Sequence, residues 1–160
     1  MKNLVLSFLS LVLVSVLITE IAQASTPVQD VKKIITVLKE RNYKNVILEK
    51  NFGGTDLQIV FVDNGLRYTV YYTGVNTTKE FISFWVRPEG TSGLKFLSTF
   101  TDHDLDGVVD FGIKGSSDGT IFDSKIFNVD EVGIPKTTLF RDYWQEQLDA
   151  AYKAALRRLL

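Results

Sequence analysis

The sequence contains no cysteine and only one histidine, His103, and these two absences exclude several kinds of site. Without cysteine, the chain has no disulfide, no thiol nucleophile, no thiolate-bound metal and no cysteine for lipid attachment. One histidine is too few for a zinc site built from several imidazoles, and a Ser-His-Asp triad would have to use His103 itself. We therefore predict that the protein is not an enzyme. A small hydrolase that uses paired carboxylates is the catalytic alternative.

The sequence also lacks the basic stripe of a nucleic-acid-binding protein, because its 18 Lys and Arg residues are balanced by 19 Asp and Glu residues. The acids are unevenly distributed, with eight of them against three lysines between residues 95 and 131. This segment is expected to attract cations. We predict no nucleic-acid partner, and the sequence identifies no protein partner.

Residues 1–24 have the pattern of a secretory signal peptide. Lys2 gives a positive start, residues 4–18 are apolar except for three serines, and Ala22-Gln23-Ala24 is an A-x-A cleavage site. A membrane-spanning helix needs about 20 predominantly apolar residues, so this shorter run favours cleavage after Ala24 over a retained anchor. We predict a secreted or periplasmic protein, with residues 25–160 as one domain and no membrane attachment after cleavage.

The most informative stretch is the nine-residue run Asp102-His103-Asp104-Leu105-Asp106-Gly107-Val108-Val109-Asp110. Its acids stand at positions 1, 3, 5 and 9, and the glycine at position 6 allows a sharp turn. Ca²⁺ takes about six to eight oxygen ligands, and alternate residues of a tightly curled loop can direct their side chains to one centre. The spacing therefore predicts a calcium loop, in which Val108 offers its backbone carbonyl. The alternative is a hairpin tip whose acids are only solvated.

Two known calcium loops resemble this run. Its first six residues are similar to the start of an EF-hand loop, but position 12 is Ile113 instead of the bidentate Glu, and the flanking residues favour strands over helices. The whole run resembles the D-x-D-x-D-G-x-x-D loop of integrin-type β-propeller blades, which lies between two strands. That resemblance implies calcium ligation by the side chains of Asp102, Asp104, Asp106 and Asp110. It covers only these nine residues, and no family is recognised over the whole domain.

The remaining patterns predict an α+β fold, with an N-terminal helix, an antiparallel meander sheet of about five to seven strands and a long C-terminal helix. Thr26-Pro27-Val28-Gln29 has the pattern of a capping box, and an apolar stripe then runs from Val28 to about residue 41. Asn64-Gly65 predicts a two-residue hairpin turn. The C-terminal helix is predicted over residues 138–160. The strand candidates are 45–50, 56–62, 66–73, 80–87, 94–101, 109–113, 120–123 and 125–129.

Aromatic residues between Tyr71 and Trp85 leave a second function open. Large aromatic side chains mostly pack in cores, and the strand over residues 80–87 is apolar on both faces, so we expect it to be central and covered on both sides. If these rings were exposed instead, they would form an interaction surface for a protein or a glycan.

Overall fold

The computed structural model describes residues 26–75, 77–93, 95–116, 121–126 and 141–160, with the backbone alone described for 121–126. The signal peptide predicted over residues 1–24 lies outside these residues. The elements in chain order are α1 (Val28–Glu40), β1 (Leu48–Phe52), β2 (Asp56–Asp63), β3 (Leu66–Thr73), β4 (Phe81–Pro88), β5 (Ser98–Asp102), β6 (Phe111–Gly115), β7 (Ile121–Ile126) and α2 (Arg141–Leu159).

The seven strands form one antiparallel meander in the order β1-β2-β3-β4-β5-β6-β7. This confirms the predicted α+β fold and its meander sheet. The predicted Asn64-Gly65 turn joins β2 to β3, with Asp63 opposite Leu66. Asn64 and Gly65 have φ angles of 50° and 73°. A type I′ turn needs positive φ at both positions, which explains why this dipeptide sets the register of the hairpin.

Several predicted strand limits were wrong by a few residues. The two strands predicted after residue 119 form one strand in the described part of the chain, because pairing with β6 continues without a break past Ser124. β6 begins at Phe111 instead of Val109, since the Val109 amide donates to the side chain of Gln145 and not to a neighbouring strand. β1 begins at Leu48, three residues later than predicted.

Helix α1 has the predicted amphipathic pattern but not the predicted cap. Its buried residues recur at helical spacing and are Val31, Ile34, Ile35 and Leu38. Val28, which was expected on this stripe, is exposed. The helix begins at Val28 after Pro27, and no side chain caps it. The hydroxyl of Thr26 donates instead to Asp149 of α2, so a tertiary contact replaces the local cap.

Both helices pack on one face of the sheet, which we call the inner face. Its buried residues include Ile59, Phe61, Val70, Tyr72, Ile82, Phe84 and Phe100. Alternation places Trp85 on the opposite, outer face, where it is 39% exposed. The prediction that β4 is covered on both sides was therefore wrong for Trp85. Neither described helix lies over it, and an apolar residue in a strand is buried only where another layer covers it.

Helix α2 lies across β2, β4 and β5 and contacts α1. Its predicted apolar stripe is buried at Trp144, Leu148, Ala151, Tyr152, Ala155 and Leu159, whereas Tyr143 is partly exposed. Arg157 and Arg158 at its end both donate to the buried Asp63, at 2.5 and 2.8 Å. Burial alone would raise the pKa of Asp63, but the hydrogen bonds and charges of the two arginines outweigh it and hold that pKa below its usual value.

Candidate metal centre

The acidic run forms the connection between β5 and β6. Asp102 is the last residue of β5, and Asp110 lies directly before β6. The Asp110 amide donates to the Thr101 carbonyl at 2.9 Å, which closes the base of the loop. The loop therefore has a strand on each side, as in the β-propeller loops that it resembles and unlike the two helices of an EF-hand.

Two residues with positive φ curl the loop back on itself. Leu105 has a φ of 60° and Gly107 has a φ of 85°. Leu105 also packs against the hydrophobic core, which directs the tip of the loop inward. At Gly107 a side chain is excluded for a second reason, because a Cβ there would overlap the backbone carbonyl of Thr26. The glycine thus permits both the turn and the close approach of the segment ahead of α1.

Asp102 is the fully buried anchor of the loop. Its carboxylate accepts hydrogen bonds from the amides of Asp106, at 3.2 Å, and Gly107, at 2.9 Å. The Tyr152 hydroxyl donates to the same carboxylate at 2.7 Å. Burial raises the pKa of Asp102 to about 6, even though the hydrogen bonds from Tyr152 and Gly107 act to lower it. A carboxylate that is costly to ionise in this way gains from a nearby cation.

The structure brings Asp102, Asp104 and Asp106 together. One carboxylate oxygen from each lies within 4.8 Å of the others, and the last two side chains are exposed. Asp106 accepts a hydrogen bond from the Val108 amide at 2.7 Å, which fixes its orientation. Its pKa is raised, first by partial burial and then by the charge of Asp104 and the charge of Asp110. The three oxygens therefore surround a position of strongly negative potential.

Asp110 and Val108 are not members of this three-carboxylate group. Asp110 is buried and accepts a hydrogen bond from the His103 amide at 2.6 Å. Its charge nevertheless contributes to the raised pKa values of Asp102 and Asp106, so it lies near the same centre. Ligation by the Asp110 side chain and by the Val108 carbonyl stays a prediction.

Gln145 of α2 holds the loop from the other side, and the sequence reasoning missed it. Its side-chain oxygen accepts from the Val109 amide at 2.9 Å, and its nitrogen donates to the Gly107 carbonyl at 2.8 Å. The same nitrogen donates to Asp149, which also accepts the Thr26 hydroxyl. Gln145 and Asp149 are buried polar residues four positions apart on the apolar stripe of α2. That interruption of the stripe was the available signal, because buried polar groups need partners.

His103 lies beside the carboxylates and does not join them. Its ring packs against Phe81, with centroids 5.2 Å apart, and its Nδ1 lies 3.8 Å from Asp110. With Asp104 and Leu105 it lines a cleft of about 640 Å³, whose other wall is the segment 77–81. Glu80 in that wall accepts from Tyr72 and pairs with Lys39. A hydrolase that uses the loop carboxylates would need a second polar group nearby; Asp118 and the side chain of Asp123, the sequence candidates for it, lie outside the described part of the structure.

No family model matches the chain, and the searches of curated proteins and of solved structures find no significant match. Neither described helix is long and apolar enough to cross a membrane.

Proposed function

We propose that this is an exported, non-enzymatic domain that binds a calcium ion in the β5–β6 loop, and that the ion makes the hairpin rigid. The observation that carries the proposal is the convergence of Asp102, Asp104 and Asp106 within 4.8 Å. Asp110 and the Val108 carbonyl complete the proposed ligand set. Export rests on the signal-peptide pattern of residues 1–24.

The donor atoms favour a hard cation. Every proposed ligand atom is an oxygen, and the chain has no cysteine that would favour zinc or copper. Between the two common hard cations, Mg²⁺ prefers to keep several of its waters and requires near-octahedral geometry. Ca²⁺ accepts more protein oxygens at looser geometry. A loop that offers four aspartates and the Val108 carbonyl fits that requirement better.

The loop is preorganised for this role by contacts from three directions. Tyr152 orients Asp102, Gln145 holds the backbone at Gly107 and Val109, and the core holds Leu105. An ion would neutralise the clustered charge and add its binding free energy to the stability of the folded domain. Extracellular calcium modules bind at about 10⁻⁴–10⁻³ M, so we expect a lasting structural ion instead of a signalling switch.

Calorimetry on residues 25–160 tests the proposal. At a calcium concentration of about 100 times Kd, the ion should stabilise the domain by about 2.7 kcal/mol, which is a rise of roughly 10 °C in Tm over the chelated protein. Mg²⁺ at the same concentration should have a smaller effect. A wild-type protein with the same Tm in calcium and in chelator would refute calcium binding.

A variant of an exposed ligand separates metal loss from misfolding. Asp104→Asn should melt at or slightly above the wild type in chelator, because Asp104 is exposed and its charge repels Asp106, but it should lose most of the rise in calcium. The double change of Asp102 and Asp106 to Ala should abolish the rise. Glu146→Gln removes an exposed acid from α2 and is the matched control. A full calcium response in Asp104→Asn would place the ion elsewhere.

A further inference from the structure

The outer face of the sheet carries two arginines directly opposite each other. Arg67 on β3 and Arg87 on β4 are paired in register, and alternation places both on the side that bears Trp85. Like charges at directly opposed positions of neighbouring strands destabilise a sheet. Such a pair is normally accompanied by an acid that compensates its charge.

Neither arginine has an acidic partner among the described residues. The Nε of Arg67 is buried without any hydrogen-bond partner, and within the described ranges Arg87 donates to the Gly93 carbonyl alone, at 3.0 Å. Two acids lie nearest on this side of the sheet. Glu89 follows Arg87 by two residues but forms no ion pair within the described ranges. Asp56 lies at the far end of this face, where it accepts a hydrogen bond from the Gly74 amide. A guanidinium presents a rigid fork of donors that fits a carboxylate or a sulfate.

An aromatic pair adjoins the arginines on the same face. The rings of Tyr71 and Trp85 are in contact, with centroids 5.0 Å apart and planes at 54°, and Trp85 is 39% exposed. Trp85 precedes Arg87 by two residues, so their backbones are only about 7 Å apart along the strand. Gln58 donates to the Tyr71 hydroxyl beside this pair, whereas the hydroxyls of Ser83 and Thr101 are buried and Thr101 donates to Ser83.

We propose that this outer face, comprising Arg67, Tyr71, Trp85 and Arg87, binds an acidic polysaccharide. The C–H-bearing face of a sugar ring packs on the exposed indole, and the carboxylate attached to that ring bonds the terminal nitrogens of the two guanidinium groups, since the Nε of Arg67 is buried. Charge complementarity selects an anionic chain, because two uncompensated cations lie side by side at one end of the aromatic pair. The exposed ring of Trp85 next to the Tyr71 hydroxyl and the Gln58 amide favours a sugar over an acidic peptide. This site is separate from the proposed calcium loop and does not depend on it.

Titration calorimetry with short oligogalacturonate, in chelator, tests the inference. We expect saturable binding that weakens as salt is raised, and binding at least about tenfold weaker for the methyl-esterified oligomer, which has lost its charge. The double variant Arg67→Gln/Arg87→Gln should lose about tenfold or more in affinity, and Trp85→Ala should lose a similar factor. Lys32→Gln/Lys153→Gln removes two exposed cations from the helices on the other side and should bind like the wild type.

Other results would overturn the inference. Absence of binding in the wild type, equal binding of the methyl ester, or equal loss in the lysine control would each show that these arginines do not recognise a uronate. Equally tight binding of polyglutamate would show that the face accepts any polyanion. A wild-type dimer in solution that Trp85→Ala dissociates would assign the face to a second copy of the chain. If the double arginine variant does not fold, the affinity of Trp85→Ala and the affinity of the methyl ester for the wild type still test the proposed site.

Discussion

Changing Tyr152 to Phe tests how the interior of the protein supports the acidic loop. The substitution keeps the ring, which packs edge-on against Phe84 with centroids 5.0 Å apart, and removes only the hydroxyl. That hydroxyl donates to the carboxylate of Asp102 at 2.7 Å, and both residues are fully buried. The change therefore removes one hydrogen bond to a buried charge and leaves the packing intact.

The size of the effect should depend on pH. A hydrogen bond to a charged group contributes about 1.5–3 kcal/mol, so at pH 7.5 in chelator Tyr152→Phe should lose about 2 kcal/mol, or roughly 6–10 °C in Tm. The pKa of Asp102 is raised to about 6, first by its burial. At about pH 5 this carboxyl is mostly protonated in the folded state, and a bond between neutral groups contributes only about 1 kcal/mol. The loss should then be about half as large.

Thermal unfolding followed by circular dichroism at the two pH values measures this difference. Tyr143→Phe on the same helix is the matched control, because its hydroxyl accepts only a surface hydrogen bond from Lys114, at 3.1 Å, among the contacts described for it. Its effect should stay within about 0.5 kcal/mol. If Tyr152→Phe loses no more stability than Tyr143→Phe, or loses the same amount at both pH values, the proposed support of an ionised Asp102 is wrong.

Three further predictions concern pH, glycine and the arginine pair at the end of α2. In chelator the folded state binds the Asp102 proton more tightly than the unfolded chain does, so stability should fall by roughly 2 kcal/mol as pH rises from about 4 to 7. Calcium titrations in the calorimeter should accordingly show weaker stabilisation at about pH 5 than at 7.5, because protons compete for this ligand. Gly107→Ala should lower the free energy of unfolding in urea by about 2–4 kcal/mol. Gly90 has a similar φ of 83° and open space around it, so Gly90→Ala should lose only about 1 kcal/mol. Equal losses would show that the close approach of the Thr26 carbonyl to Gly107 does not matter. Asp63→Asn should lose about 1–3 kcal/mol at pH 7. Since the pKa of Asp63 is lowered, the gap to the wild type should close as pH falls below the ordinary Asp pKa of about 3.9. A gap unchanged in acid would contradict the ion-pair explanation.

Local patterns in the sequence were sufficient for the fold class. The Asn64-Gly65 dipeptide requires positive φ, and the apolar spacing of α1 and α2 is visible without knowledge of any partner. Because each connection between strands is short, consecutive strands pair and the meander follows. Strand limits were less accurate, since the first residues of β6 depend on Gln145, a residue more than thirty positions away in the chain.

The ligands of the candidate site were predictable from the sequence, whereas the residues that support them were not. The nine-residue run was recognisable because a calcium loop places its ligands at fixed local spacing, and the structure brings three of those carboxylates together. Thr26, Gln145 and Tyr152 were not predicted as its supports, because their contacts join segments that are far apart in sequence. The only local sign was a pair of polar residues on an apolar helical stripe.

The sequence by itself therefore determined the features that are encoded over a few neighbouring residues. These are the helical stripes, the hairpin turn and the spacing of the four aspartates. Tertiary structure alone decided which of those aspartates is buried, what holds the loop in place, and that Arg67 and Arg87 lie beside the exposed Trp85 on the outer face. The physical reason is that burial, and the partners that burial requires, depend on which distant segments meet. No local pattern contains that information.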